Sequence, residues 1–153
     1  MNLEKAIKIA LEAHTGQVDK GGNPYILHPL RVMLSLNSEE ERIVGVLHDV
    51  VEDCEGWTWE RMRETGCSDE IIKALKSVSK TPEEETEYRS LPEDQKLSHY
   101  LEFIKRAKAN KIGRNVKAAD IKDNLDISRI NDITERDIDR LNRYKAALKL
   151  LGA

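Results

Sequence analysis

One all-α domain is predicted, and three observations predict it. Apolar residues recur at three- and four-residue spacing along most of the chain, strand-like alternation is nearly absent, and helix-capping patterns punctuate the periodic stretches. At 153 residues the chain suits one domain, residues 1–153, with a real core and about six to eight helices.

The elements follow in order. Residues 2–15 put Leu3, Ala6, Ile7, Ala10 and Leu11 on one face, which makes a first helix. The stretch TGQVDKGGNPY then breaks it with a glycine-rich loop. Residues 26–36 read as a short helix whose start His28-Pro29 leaves open. NSEEER (37–42) is a capping pattern with acids in the first turn, and the helix it starts runs to about residue 54. Residues 58–65 make a short helix that Thr58 caps, and Ser68-Asp69-Glu70 starts another with Ile71, Ile72, Leu75 and Val78 inward. The acidic, two-proline stretch 81–95 is expected to be a mobile surface loop. Tyr100, Phe103, Ile104 and Ala107 mark one further helix, and Ile112, Val116 and Ala119 the next. Residues 134–151 close the chain behind Thr134, through Ile138, Leu141, Tyr144, Leu148 and Leu151.

Composition narrows the function. Hydrophobic residues make up 39% and charged residues 35%, a balance that predicts a soluble protein. A net charge of -3 argues against nucleic-acid binding driven by phosphate contacts. No apolar run approaches the roughly 18 residues of a membrane span, so no membrane partner is expected. MNLEKAIKIALEAH lacks the apolar stretch of a signal peptide. Cys54 and Cys67 make no disulfide framework, and reduced thiols in a cytoplasmic protein are the expectation.

The chemistry concentrates in GVLHDVVEDC (Gly45–Cys54). On a helix, His48 and Glu52 are four apart, Asp49 and Glu52 three, and Asp49 and Asp53 four, so all four share one patch. Three acids among valines repel one another, and burying them costs several kcal/mol unless something positive is present. The segment has no Lys or Arg. A divalent cation resolves the conflict, with His48 and Asp49 as ligands and Glu52 and Asp53 handling its water. Further ligands are needed, and His28 in PYILHPL and Asp120 in VKAADIKDNLD are the candidates.

These pieces together resemble the HD-domain phosphohydrolases, and most closely the hydrolase domain of Rel/SpoT-type alarmone enzymes and the stand-alone small alarmone hydrolases. AHTGQVDKGGNPYILHP is similar to that family's AH-x-GQ-x-RKSG-x-PYI-x-HP, and LHDVVEDC to its LHDVVEDT. VKAADIKDNL resembles VKLADRLHNL, and SVSK (77–80) resembles GVTK. The resemblance implies one metal ion per chain, Mn²⁺ or another divalent ion, on His28, His48, Asp49 and Asp120. It implies catalytic roles for Glu52 and Asp53, and a nucleotide substrate. The implied activity is removal of the 3′-pyrophosphate of guanosine alarmones such as ppGpp. Alternatives are hydrolysis of another phosphorylated nucleotide or metabolite, and a non-catalytic nucleotide-sensing module.

The substrate-binding candidates are Lys20, Asn124 and Lys80. Lys20 keeps the lysine of the resembled RK pair while Asp19 replaces its arginine, Asn124 keeps the motif's asparagine, and Ile127 replaces a threonine. Asp19 is expected to turn to solvent. His14 is expected to be a buried hydrogen-bonding residue and His99 an exposed one, and Arg89, Lys117 and Lys122 read as charged surface residues.

Overall fold

Asn2 starts the first helix, α1 (Leu3–Ala13), its side-chain oxygen accepting from the Lys5 N–H at 2.9 Å. The computed structural model describes residues 1–153 and contains no β-strand. After α1 come α2 (Leu27–Leu34), α3 (Glu39–Leu47), α4 (Val50–Asp53), α5 (Trp59–Glu64) and α6 (Asp69–Val78). Then follow α7 (Pro82–Ser90), α8 (Glu93–Ala109), α9 (Lys111–Asn124), a 3-10 turn (Ile127–Arg129) and α10 (Glu135–Leu151). Eight of these helices have eight residues or more, and the short α4 and α5 complete the set.

Local chemistry fixes the helix starts. Ser38 and Glu41 form a reciprocal capping box at α3, and Thr134 and Asp137 form another at α10. Thr58, Ser68 and Asn110 cap α5, α6 and α9 with their side chains.

Two buried clusters form the interior. The larger, of 22 residues, joins α1, α2, α3 and α6 with Ala107 of α8 and Ile112 and Val116 of α9. The smaller, of seven, joins α8 and α10 through Ala118 and Ile121 of α9. Helix α9 belongs to both, so anything on its last turns is gripped from two sides. Glycines ease close approach between helices at two of the crossings. A Cβ on Gly45 would lie 2.7 Å from Leu36 Cδ1, and one on Gly113 would run into Ser77, which lets α3 meet α2 and α9 meet α6.

Three expectations need correction. The expected loop at 81–95 is helical, because Thr81 Oγ1 accepts from the Glu84 N–H and Pro82 occupies the first turn, where its missing N–H costs nothing. Glu85 and Arg89 add an i,i+4 pair at 2.9 Å. The single helix expected up to residue 54 breaks at His48-Asp49, which adopt a turn between α3 and α4. Ile138 and Leu11, expected inward, are 51% and 48% exposed, since each lies at the edge of its helix's apolar stripe.

Candidate metal centre and its two clefts

Histidine 28 reaches the site from the first turn of α2, just after the loop that carries Lys20. That loop is pinned by a bridge between Val18 and Pro24 and by the Asp19 carboxylate, which accepts from the Gly21 and Asn23 N–H groups at 2.9 Å each. Asp19 therefore turns onto its own loop's backbone rather than out to solvent. His48 and Asp49 arrive from the turn between α3 and α4, and Asp120 from α9. Both residues of the turn stay in the right-handed helical region, and α4 carries Glu52 and Asp53 into a neighbouring cleft.

The four metal candidates converge. His28 Nε2 lies 3.0 Å from Asp120 Oδ1 and 3.7 Å from Asp49 Oδ2. His48 Nε2 lies 3.1 Å from Asp49 Oδ2 and 3.4 Å from Asp120 Oδ1. Ligand atoms of His28, His48 and Asp49 all fall within 4.8 Å of one another. The His48 Nδ1–H donates to the Gly45 carbonyl at 2.6 Å, which leaves the Nε2 lone pair pointing at carboxylate oxygens. That Nε2 is buried and has no hydrogen-bond partner. Lone pairs facing one another in a buried space call for a cation between them, and mixed imidazole and carboxylate donors suit a divalent metal ion. The residues present therefore fit a metal.

Neighbours that the sequence reading missed hold these four in place. Tyr25 Oη donates to Asp49 Oδ2 at 2.5 Å. The Lys117 ammonium, read as a surface charge, is buried and 3.0 Å from Asp120 Oδ2, while Oδ1 is the oxygen that faces the histidines. Asp123 accepts from His28 Nδ1 at 2.6 Å. Lys117 and Asp123 are spaced three residues to either side of Asp120 on one helix, a signal available from the sequence once Asp120 is singled out.

Electrostatics divide the acids into two kinds. Burial pushes Asp49 and Asp120 up, but cationic partners outweigh it and bring both well below the usual carboxylate range: His48 for Asp49, and Lys117 with His48 for Asp120. Burial lowers His28 and His48, yet the facing carboxylates raise both, His28 to about 9. Glu52 goes the other way, raised to about 7 by desolvation and then by the Asp49 charge, and Asp53 is raised to about 6 by the same two causes. Both carboxyls still reach solvent at the cleft they line.

Two clefts flank the centre. A pocket of about 300 Å³ opens onto His28 and is lined by Lys20, Tyr25, Asn124, Arg129, Arg140 and Tyr144. Within it Lys20 is mostly exposed, 3.6 Å from Asp137 Oδ1, and the Asn124 amide donates to Asp120 Oδ1 at 3.0 Å. A larger cleft of about 980 Å³ carries Glu52, Asp53, Lys80 and Arg106. Lys80 thus stands with Glu52 and Asp53 and apart from Lys20 and Asn124; its ammonium is 3.5 Å from Glu85 Oε2 and 4.7 Å from the Tyr88 ring centre. Arg89 pairs with Glu85 in that cleft, and Lys122 is exposed. His14 is buried and its Nδ1 is 2.8 Å from Gln17 Oε1, whereas His99 is only partly exposed, beside Glu87.

No family model matches the chain. A guanosine-3′,5′-bis(diphosphate) 3′-pyrophosphohydrolase of Borreliella burgdorferi is 35% identical over 98 residues, covering 61% of this chain and 14% of its own length. A protein of the same name in Aquifex aeolicus is 35% identical over 82 residues, covering 51% of this chain and 12% of its own. A GTP pyrophosphokinase of Myxococcus xanthus is 42% identical over 55 residues, covering 33% of this chain and 7% of its own. This chain therefore spans only a small part of these relatives. Among solved structures, one described as a metazoan ortholog of SpoT that hydrolyzes ppGpp and plays a role in starvation responses superposes with a TM-score of 0.76. It shares 20% identity, and the match covers 97% of this chain and 84% of that one. The all-α fold is thus one already seen, and the resemblance to Rel/SpoT-type hydrolase domains read from the motifs is shared by sequence relatives.

Proposed function

We propose that this protein is a cytoplasmic, metal-dependent phosphohydrolase that removes the 3′-pyrophosphate of ppGpp. One observation carries the reading: two imidazoles and two carboxylates converge around the partnerless His48 Nε2, one short helix away from a second, protonatable pair of acids. His28, His48, Asp49 and Asp120 would hold one Mn²⁺. When bound, such an ion supplies Lewis acidity and a water of lowered pKa.

The chain's own residues do the rest. Glu52 and Asp53, with pKa values raised toward neutrality, take a proton from the attacking water and return one to the leaving 3′-oxygen. The new bond joins the water oxygen to the phosphorus on the 3′-oxygen, the bond between them breaks, and GDP and pyrophosphate leave. Lys20 and Asn124 face the base and sugar in the smaller pocket, and Lys80 in the larger cleft holds phosphate oxygens. Asp19 lines the same smaller pocket, and the two backbone amides that donate to it partly offset its charge beside an anionic ligand.

The test is product identification after incubating ppGpp with the purified protein and Mn²⁺, beside a panel of other 3′- and 5′-phosphorylated nucleotides. GDP and pyrophosphate released only with the metal are the expected result. Turnover of another panel member with ppGpp untouched would leave the phosphohydrolase class and remove the alarmone. No turnover at all, with metal bound, would point to a sensing module.

A further inference from the structure

Resting on the metal reading above, we propose that Asp123 is a positioning residue for His28, an outer carboxylate clamped by two arginines that fixes which nitrogen of the imidazole faces the metal. The VKLADRLHNL motif that this segment resembles has a histidine where this chain has Asp123.

The geometry is specific. His28 presents Nε2 to Asp49 and Asp120 and Nδ1 to Asp123, and the Nδ1–Asp123 Oδ2 separation of 2.6 Å is among the shortest side-chain contacts at the centre. A carboxylate in that place takes the proton on Nδ1 and so leaves the Nε2 lone pair free for a ligand bond. A carboxylate alone at the end of a helix could swing away. Asp123 cannot: Arg31 donates to Oδ1 through Nε at 2.8 Å and to Oδ2 through Nη2 at 3.1 Å. Arg129 donates from Nη2 to the Asp123 carbonyl at 2.6 Å and to Oδ2 at 3.3 Å. The forked guanidinium of Arg31 holds both oxygens in one plane, which a lysine would not do.

The clamp draws on three elements. Arg31 comes from α2, Asp123 from α9 and Arg129 from the 3-10 turn, whose own Asp126 pairs with Arg129 Nη1 at 3.0 Å. His28 and Arg31 are one turn apart on α2, so Asp123 receives both from the same face. Without this carboxylate the imidazole is free to rotate or to carry its proton on Nε2, and either change removes a donor from the centre.

The test is Mn²⁺ binding to metal-stripped protein by isothermal titration calorimetry, which needs no substrate. Asp123→Ala is expected to raise the Mn²⁺ Kd about 10- to 100-fold, in line with the loss of an outer-sphere carboxylate. Asp123→Asn, which keeps an acceptor oxygen for Nδ1–H, is expected to recover part of that loss. Ile104→Val, a mild core change away from the clamp, is expected to leave Kd within twofold, and circular dichroism checks that every variant is folded. A folded Asp123→Ala that binds Mn²⁺ as tightly as wild type overturns the proposal. So does an Ile104→Val variant that weakens Mn²⁺ as much, because the effect would then be general loosening. Should wild-type protein bind no Mn²⁺, the metal reading itself falls first, and that result is read before any variant is made.

Discussion

Asp49 and Glu52 stand one helical turn apart, and their surroundings drive them in opposite directions. Asp49 is enclosed with His48, Asp120 and the Tyr25 hydroxyl, and cationic neighbours keep it ionised. Desolvation and then the Asp49 charge push Glu52 up to about 7, with Lys117 and Lys80 offsetting only part of the rise. The same contrast separates Asp120 from Asp53. Under the proposed function, two carboxylate pairs with opposed pKa shifts would divide the labour: one pair stays anionic to bind a cation, the other exchanges protons near neutral pH.

The contrast can be broken outright. Asp49→Asn removes an anionic oxygen that both histidines face, and it should abolish Mn²⁺ uptake and hydrolysis together, read by metal analysis and product release. Glu52→Gln and Asp53→Asn should instead keep one Mn²⁺ per chain while the rate falls about 10²- to 10⁴-fold. Equal loss of metal in all three variants would erase the distinction between the pairs.

Smaller perturbations sharpen it. Lys117→Met leaves Asp120 without its buried ammonium and should cost about 3 kcal/mol of stability, measured by urea unfolding of the metal-stripped protein. The pH profile tests the second pair directly. If both must be deprotonated to act, kcat/KM should rise about a hundredfold per pH unit below the apparent value near 6 and about tenfold per unit between 6 and 7, then level off. Glu52→Gln should flatten the upper part of that rise. Least of all, Glu84→Gln, which breaks a surface pair with Arg106, should change stability by no more than about 0.5 kcal/mol and less at high salt.

How much of this was legible beforehand depends on the range of the interaction. The helices with apolar stripes and side-chain caps could be read, because spacing and capping are local. His48 and Asp49 stood out because acids among valines conflict with burial, and His28 and Asp120 became visible through motif order. Helix α7 was unreadable by the same logic: it has no buried residue and no stripe, and its two flanking prolines look like breakers until one sees that each precedes or occupies a helix start. Lys117 was misread because a lysine is usually solvated, and although Asp120 lies one turn on along the same helix, only the fold brings Phe103 against it and buries it. The Asp123–Arg31 pairing spans 92 residues, so no window along the chain contains it.

Helix α7 has a further consequence. It forms part of the larger cleft's wall through Pro82, Glu85, Thr86 and Arg89, buries no residue fully, and is held by Glu84 with Arg106, by Glu85 with Lys80 and by Tyr88 against the edge of the smaller cluster. Such an element opens as its own small unit at little free-energy cost, giving up only the Tyr88 contact with the smaller cluster. Its amide hydrogens should exchange with solvent orders of magnitude faster than those of α9, with a rate almost independent of low urea concentrations, because opening exposes little new surface. The wall beside Glu52 and Asp53 is thus the first part of the molecule to breathe, while the helix bearing Asp120 is among the last.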